Sequence, residues 1–415
     1  MTGKPRIVLV AYYYPPSSAI GGVRAENIAQ QLANLGWHVT VITPTLKFWG
    51  GNEAEPFPGV EVVRVDSGWS LLGPEGPMDR QGIPLKVISK LFQKSIRNIK
   101  KLEPTSYWTR SALKALREHA ADSDILMTTM SPFFTGGIVA EIAQEFKIPF
   151  VLDYRDLIIG NAHGMYLSQN SDFIKQELDW LNQASVVTTV SDYLVKLLAE
   201  RVDDPNKCYS LTNGYSSDQF DRIQFPDRKS EPFRMIYAGT FYPPLAIIDP
   251  IFAALAKLDS EKRITSQWKF DYFGTWWETV KNKAKEFKIE SHVNVTPLVP
   301  RQQALEELAN SDCLTVIVSV EGQSNDEVRG IVTAKLFDCL GLKKPILLIA
   351  PDGEAADIVH QTDSGFICRG DQIDKIANSI QRIADGHSFE FQSDAYSWNA
   401  LGIKLDNLLK SAIIS

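Results

Sequence analysis

Short apolar runs alternate with segments of helical periodicity along most of the chain. β-rich apolar runs that are each followed by a helical segment are typical of parallel strands in a sheet covered by helices. The pattern therefore predicts an α/β fold with parallel sheets. The predicted strands are residues 6–10, 38–43, 60–65, 125–129, 150–153, 186–190, 208–211, 234–238, 268–273, 293–295, 314–318, 345–349 and 365–368.

A polar, proline-bearing stretch at residues 226–232 separates two series of strands and is interpreted as a linker. The chain has 415 residues, which is long for one hydrophobic core, so two domains are expected. We place the first domain at residues 1–214 and the second at residues 215–396. The final segment, 397–415, has apolar residues at helical spacing and no neighbouring strand in the sequence, so it must pack against a distant part of the chain.

The composition, with 44% hydrophobic and 22% charged residues, is that of a folded globular protein. A net charge of -7 argues against a nucleic-acid partner, which normally selects for a basic excess. The four cysteines lack metal-ligand spacing and are expected to be reduced core residues. Neither a signal peptide nor a membrane span is recognisable in the pattern, so the cytoplasm is the expected compartment.

Residues 85–102 form a basic amphipathic pattern, with apolar residues on one side of the predicted helix and no acidic residue. Such a helix in an acidic protein predicts attraction to an anionic membrane surface, which would make the protein peripheral on the inner face of the membrane. The alternative is the solvated outer face of a helix packed on the first domain. The basic positions are Lys86, Lys90, Lys94, Arg97 and Lys101.

In the first half, Gly21 and Gly22 are predicted in the loop between the first strand and a helix over residues 25–35. Glycine lets a phosphate approach backbone N–H groups, although the spacing matches neither a dinucleotide nor a Walker fingerprint and a plain turn is the alternative. Asp153 and Arg155 end a buried strand, at the edge where open α/β sheets bind ligands. The alternative is a pairing of Arg155 with a neighbouring carboxylate. His163 follows within the same loop, although a lone loop histidine is more often a surface residue.

In the second half, Gly239, Thr240 and Gly274 follow strands at the equivalent edge. Residues 327–338 carry the most specific signal of the chain. Thr333 is expected to cap a helix whose N–H groups, together with Arg329 and Lys335, would face a phosphate. Asp338 lies in an apolar setting and therefore needs a partner, such as a ribose hydroxyl or a cation. The alternative is a surface ion pair between Lys335 and Asp338.

Taken together, these segments resemble family 4 glycosyltransferases. The resemblance rests on Tyr-Tyr-Pro-Pro, Gly-Gly and Leu-Gly-Trp-His-Val-Thr-Val in residues 6–43, and on three later motifs at residues 212–215, 237–240 and 335–340. Ser131-Pro132 and residues 153–156 are similar to a bacterial branch that builds surface polysaccharides.

The resemblance implies a GT-B fold, with two Rossmann-like domains and a C-terminal helix that crosses back to the first. It implies a retaining hexosyltransferase with no metal or other cofactor, a nucleotide-sugar donor, and a glycan or lipid-linked acceptor. The acceptor would meet Asp153, Arg155 and His163 in the first domain. The donor would meet Gly21, Gly22, Gly239, Thr240, Gly274, Arg329, Gly330, Thr333, Lys335 and Asp338.

One departure concerns the paired glutamates of the family, whose positions are Gly330 and Asp338 here. Asp338 can still contact a ribose, whereas Gly330 supplies no carboxylate to the sugar. Two other functions therefore stay open. One is a sugar-nucleotide epimerase on the same fold, and the other is a catalytically silent partner of another transferase.

Overall fold

The computed structural model describes residues 3–16, 20–45, 55–66, 108–159, 166–220, 223, 232–264, 267–321 and 326–414. The chain forms two compact units. The first contains Met1–Thr212 together with Leu401–Ser415, and the second contains Asn213–Ala400. Most of the expected linker at 226–232 lies outside the described residues, which resume at residue 232.

The first unit is built on a seven-stranded parallel sheet in the order β3-β2-β1-β4-β5-β6-β7. Its strands are β1 (Arg6–Val10), β2 (His38–Pro44), β3 (Val60–Val65), β4 (Ile125–Met130), β5 (Phe150–Tyr154), β6 (Val186–Thr189) and β7 (Cys208–Ser210). Its helices are α1 (Ile20–Asn34), α2 (Thr109–Ala120), α3 (Thr135–Phe146), α4 (Ser171–Gln183) and α5 (Asp192–Ala199).

The second unit contains a six-stranded parallel sheet, which the structure describes in the order β10-β9-β8-β11-β12-β13. The strands are β8 (Phe233–Ala238), β9 (Trp268–Phe273), β10 (Val293–Thr296), β11 (Cys313–Ile317), β12 (Ile346–Ile349) and β13 (Gly365–Cys368). The helices are α6 (Ser217–Phe220), α7 (Asp249–Ser260), α8 (Trp277–Glu286), α9 (Arg301–Ala309), α10 (Asp326–Arg329), α11 (Ala334–Leu342), α12 (Glu354–Gln361) and α13 (Ile373–Ala384). The last helix, α14 (Trp398–Ile414), begins in the second unit and belongs to the first from Leu401 onward.

The central strands are buried on both faces because helices cover each sheet, as expected for parallel strands. Every residue of β4 and of β12 is buried. The predicted strands and the α/β fold are confirmed, with strand ends that differ by a residue or so. The four cysteines are buried and unbonded, as expected. In the described part of the chain, no helix has both the length and the apolar character that crossing a bilayer requires.

The prediction for the first loop is wrong, because α1 begins at Ile20 and includes both Gly21 and Gly22. Glycine has a low helix propensity, so the periodic pattern of the sequence becomes visible only from Ala25. A close approach accounts for Gly21, since a Cβ there would lie 1.8 Å from Nη1 of Arg155.

The end of the C-terminal helix α14 belongs to the first unit, which confirms the predicted return of this segment. The indole of Trp37 donates a 2.7 Å hydrogen bond to Oδ1 of Asp406, and both residues are buried. Gly402 packs on Gln31, whose Cβ would lie 2.7 Å from a Cβ at position 402. This contact requires a small residue on the helix.

Candidate functional site

A partly buried lysine lies at the carboxyl end of β8. Lys335 is in the first turn of α11, and its Nζ donates to the hydroxyl of Tyr237 at 2.9 Å and to the carbonyl oxygen of Thr240 at 3.2 Å. The ammonium also lies 4.6 Å from the centroid of the Tyr237 ring. The sequence placed Lys335 and Thr240 in one site, and the structure brings them into contact.

The surroundings of Lys335 are polar and aromatic but not acidic. Burial lowers the pKa of Lys335 from 10.5 to about 8, because a desolvated ammonium is disfavoured. Within the described ranges, no carboxylate forms an ion pair with Lys335. A partly desolvated cation with neutral contacts is suited to bind an anion, which would restore the missing countercharge.

The glycines next to Lys335 make room for close contacts. A Cβ at Gly239, whose φ is +134°, would lie 2.2 Å from Cε of Lys335. The carbonyl of Gly239 accepts a 3.0 Å hydrogen bond from the Tyr272 hydroxyl, and a Cβ at Gly274 would lie 2.0 Å from that carbonyl oxygen. Both glycines are therefore required by local geometry, whatever ligand the site takes.

Asp338 pairs with an arginine that the sequence analysis did not single out. Arg301, the first residue of α9, donates from Nη1 and Nη2 to the two Asp338 oxygens at 2.9 and 2.7 Å. Because Lys335 instead contacts Tyr237 and Thr240, the alternative of a Lys335–Asp338 surface pair is wrong. Asp338 is 8% exposed, so its carboxylate is held in a fixed orientation.

The segment before α11 also differs in detail from the prediction. Thr333 occupies the N-cap position with extended backbone angles, but its side chain makes no capping hydrogen bond. Arg329 ends the short helix α10, and buried Gly330 follows it. Gly353 packs tightly here, since a Cβ at that position would lie 2.6 Å from the Arg329 carbonyl oxygen.

In the first unit, Asp153 is a fully buried partner of Arg24. The Arg24 guanidinium donates to both carboxylate oxygens at 2.9 and 2.7 Å, and Thr188 donates at 2.7 Å. Burial alone would raise the pKa of the Asp153 carboxyl, but the charge and hydrogen bonds of Arg24 outweigh it and hold the pKa below its ordinary value. These contacts fit a structural role rather than the predicted contact with an acceptor.

Arg24 also fixes the backbone near Thr212, where the first segment of the first unit ends. Its guanidinium donates to the carbonyl oxygens of Leu211 and Thr212 at 2.8 and 2.9 Å. Asp153 therefore acts through Arg24 on the backbone that follows β7. The sequence offered only a weak signal for this pair, an arginine in an otherwise apolar stretch of a helix, 129 residues before its partner.

Arg155 is fixed at the carboxyl end of β5. Its Nε and Nη2 donate to the carbonyl oxygens of Met130 and Ser131 at 3.2 and 2.9 Å, and its guanidinium lies 5.7 Å from the centroid of the Tyr13 ring. The guanidinium also packs against Gly21 in the first turn of α1. The structure thus brings two predicted site residues of the first unit together.

Two predictions fall on residues outside the described ranges. His163 lies in the gap at 160–165, and the basic positions Lys86, Lys90, Lys94, Arg97 and Lys101 lie in the gap at 67–107. The acceptor contact of His163 and the membrane surface therefore stay predictions.

The structure adds aromatic residues to the site of the second unit. The Tyr272 ring stacks on those of Tyr237 and Phe241, which are tilted against each other, and the three centroids lie 4.6 to 5.9 Å apart. The hydroxyl of Tyr272 also accepts a 3.1 Å hydrogen bond from the backbone N–H of Trp276. The only sequence signal for this cluster is that these aromatic residues stand beside the glycines that end β8 and β9.

Residues 21–214 match the family model described as Glycosyl transferase 4-like domain. This part of the chain, slightly less than half of its length, is similar in sequence to that domain. A search of curated proteins found no match.

Solved structures share the fold over the full length of the chain. Sucrose-phosphate synthase from Thermosynechococcus elongatus aligns with a TM-score of 0.69 at 14% identity and covers 99% of this chain and 100% of its own. HepE from Anabaena, in complex with UDP and glucose, aligns with a TM-score of 0.60 at 13% identity, covering 98% and 99%. These similarities establish the predicted GT-B fold.

A third structure with this fold is assigned to a different reaction. This structure is of a Listeria monocytogenes protein that is assigned as a UDP-N-acetylglucosamine 2-epimerase. It aligns with a TM-score of 0.57 at 10% identity, covering 99% of this chain and 96% of its own. The fold is therefore compatible with both transfer and epimerisation, and the site must distinguish them.

Proposed function

We propose that the chain is a retaining glycosyltransferase that moves a hexose or aminohexose from a nucleoside diphosphate to a glycan or lipid-linked acceptor in polysaccharide biosynthesis. The match of residues 21–214 to a glycosyl transferase 4-like domain supports transfer over epimerisation. The complex of HepE with UDP and glucose supports a nucleotide-sugar as donor.

The observation that carries the proposal is the ammonium of Lys335, which is partly buried among neutral groups at the end of β8. A departing diphosphate develops negative charge in the transition state, and a fixed cation in a poorly solvated site stabilises that charge. The N-terminus of α11 adds the positive end of a helix dipole at the same place. These groups supply the electrostatic stabilisation without a metal ion.

The other residues of the second unit take roles that follow from position. Asp338, oriented by Arg301, accepts a ribose hydroxyl. Gly239, Thr240 and Gly274 let the phosphates approach the backbone. Gly330 provides no side chain, so Arg329, Thr333 and backbone N–H groups take the contacts that a glutamate would make to the sugar.

In the first unit, we assign Arg155 to the acceptor side and Asp153 to the positioning of Arg24. Arg155 is held by two carbonyl oxygens and packs on α1, so its charge has a fixed place at the carboxyl edge of the sheet. Asp153 is fully buried and acts only through the residues it holds.

The test is calorimetric titration of the full chain with a panel of nucleoside diphosphates and their sugars. We expect one nucleotide to bind saturably and to lose at least tenfold in affinity in Lys335→Met, which keeps the aliphatic stem but removes the charge. Lys285→Ala, at an exposed lysine of α8, is the matched control and should bind like the wild type. A panel without any binding would favour the silent partner.

Radiolabelled donor then separates the two enzymatic functions. A transferase releases the nucleoside diphosphate only as label enters an acceptor, whereas an epimerase changes the sugar with no acceptor present. Formation of an epimerised sugar without acceptor would contradict the proposal.

A further inference from the structure

A cavity of about 380 Å³ lies in the first unit, between α1, β3 and the segments around residues 14 and 56. Its volume is within the roughly 300–1,000 Å³ range of small-molecule pockets. Its described lining residues all belong to the first unit, whereas Lys335 belongs to the second, and they include none of the predicted donor residues. The cavity therefore requires a separate explanation.

The polar part of the wall combines hydrogen-bond acceptors with fixed donors. Glu26 and Glu55 supply carboxylates, and Arg64 supplies a guanidinium held by a 2.6 Å hydrogen bond from Nη2 to the Pro15 carbonyl oxygen. Gln30 donates to Glu26 at 3.3 Å. Burial raises the pKa of the Tyr14 hydroxyl, as does the nearby Glu26 charge, so this hydroxyl keeps its proton at physiological pH.

The rest of the described wall is apolar and includes the aromatic ring of Phe57. Hydrogen-bond donors and acceptors around an aromatic ring fit a ligand that has C–H faces and a rim of hydroxyl groups, because each hydroxyl both donates and accepts. Among the described lining residues, two carboxylates and one guanidinium give an excess negative charge, which disfavours phosphates and acidic sugars.

We infer that this cavity binds a neutral or amino-bearing pyranose of the acceptor, with Glu26 and Glu55 accepting from its hydroxyls and Arg64 donating to them. The assignment to the acceptor rests on the proposed function, whereas binding of a pyranose depends only on the wall. Carboxylates are strong acceptors of hydroxyl hydrogen bonds, so they are the groups whose loss should weaken binding most.

Saturation-transfer NMR on the full chain tests the inference, with methyl glycosides of glucose, galactose, mannose, N-acetylglucosamine and glucosamine as probes. We expect transfer to at least one glycoside, and a loss of at least fivefold in Glu26→Gln/Glu55→Gln. Val62→Trp fills the cavity from β3 and should abolish transfer. Glu61→Gln changes a carboxylate on the same strand that does not line the cavity, and should leave transfer unchanged.

The glycosides also distinguish the two ligand types, because preference for glucosamine would indicate that its ammonium pairs with a carboxylate. No transfer to any glycoside, or transfer that persists in Val62→Trp, would overturn the inference. Circular dichroism shows whether each variant folds. If either Glu26→Gln/Glu55→Gln or Val62→Trp does not fold, the other still tests the inference.

Failure here is separable from failure of the proposed function. Nucleotide titration of the same variants reports on the Lys335 site, which these substitutions leave intact. Nucleotide binding without glycoside binding would contradict the cavity inference and leave the proposed function standing. Glycoside binding with no nucleotide binding would sink the transferase and leave a saccharide-binding protein.

Discussion

Lys335 donates a hydrogen bond to the hydroxyl of Tyr237 while its ammonium lies 4.6 Å from the centroid of the same ring. Both interactions favour the charged lysine, yet burial still lowers its pKa to about 8. Lys335 is therefore mostly protonated at neutral pH, but its pKa lies close to that range. A bound diphosphate should stabilise the charged form and raise this pKa.

Nucleotide binding should consequently take up a proton at alkaline pH. The free site loses its charge above about pH 8, so affinity should fall as the pH rises through that value. A bound diphosphate raises the lysine pKa, and the complex then binds more protons than the free protein. Calorimetry at about pH 8.5 in two buffers of different ionisation enthalpy measures the proton uptake. The diphosphate, whose last pKa is about 6, is already fully ionised at this pH, so the proton goes to the protein. Equal uptake in Lys335→Met would contradict this assignment.

Gly239→Ala should displace Lys335 and weaken nucleotide binding. The added Cβ would lie 2.2 Å from Cε and 2.4 Å from Nζ of Lys335, so the ammonium must move. A shift of about 1 Å in such a group costs up to roughly 100-fold, and we expect at least a tenfold loss of affinity by calorimetry. Gly386→Ala is the control, because φ there is +87° and no atom lies within 4 Å of the new Cβ. Equal losses in both variants would indicate backbone strain alone.

Asp338→Asn should reduce the preference of the site for ribose. A carboxylate that accepts a ribose hydroxyl contributes about 1.5–3 kcal/mol, which is lost when the hydroxyl is absent. The wild type should therefore bind the ribonucleotide more tightly than at least one of its 2′-deoxy and 3′-deoxy analogues. Competition titration of both proteins gives the ratio of dissociation constants. If the variant kept the full preference, Asp338 would serve only to hold Arg301.

Arg24→Met should destabilise the first unit strongly, because it leaves the Asp153 carboxylate buried without its countercharge. Breaking a buried ion pair in this way costs about 3–5 kcal/mol. Calorimetric unfolding should show this as a midpoint lowered by several degrees. The double variant Arg24→Met/Asp153→Leu removes both charges and should recover part of the loss. A double variant whose loss equals the sum of the two single losses would show that the residues do not interact energetically.

Much of the fold followed from local pattern, because strands buried on both faces must be continuously apolar. The runs before Asp153 and before Gly239 were therefore found with nearly correct ends. The start of α1 was missed because Gly21 and Gly22 have low intrinsic helix propensity, and the close approach of Arg155 to Gly21 is visible only in the folded chain.

The pairing of site residues could not be predicted in the same way. Arg24 is 129 residues from Asp153, and Arg301 is 37 residues from Asp338. A single sequence gives no signal for such distances. Asp338 was expected to need a partner, but only the folded chain shows that this partner is Arg301. Lys335 was found because its helix and the glycines that follow β8 and β9, Gly239 and Gly274, each carry a local signature.

The hydrogen bond between Trp37 and Asp406 spans 369 residues of sequence, and it bears on how the protein is made. Residues 401–415 complete the first unit, but about 190 residues of the second unit are translated before them. Synthesis runs at roughly 5–20 residues per second, so Trp37 and the part of α1 around Gln31 lack the cover of α14 for on the order of 10 to 40 seconds. The nascent first unit must wait that long for its last helix, during which a chaperone has an apolar surface to bind.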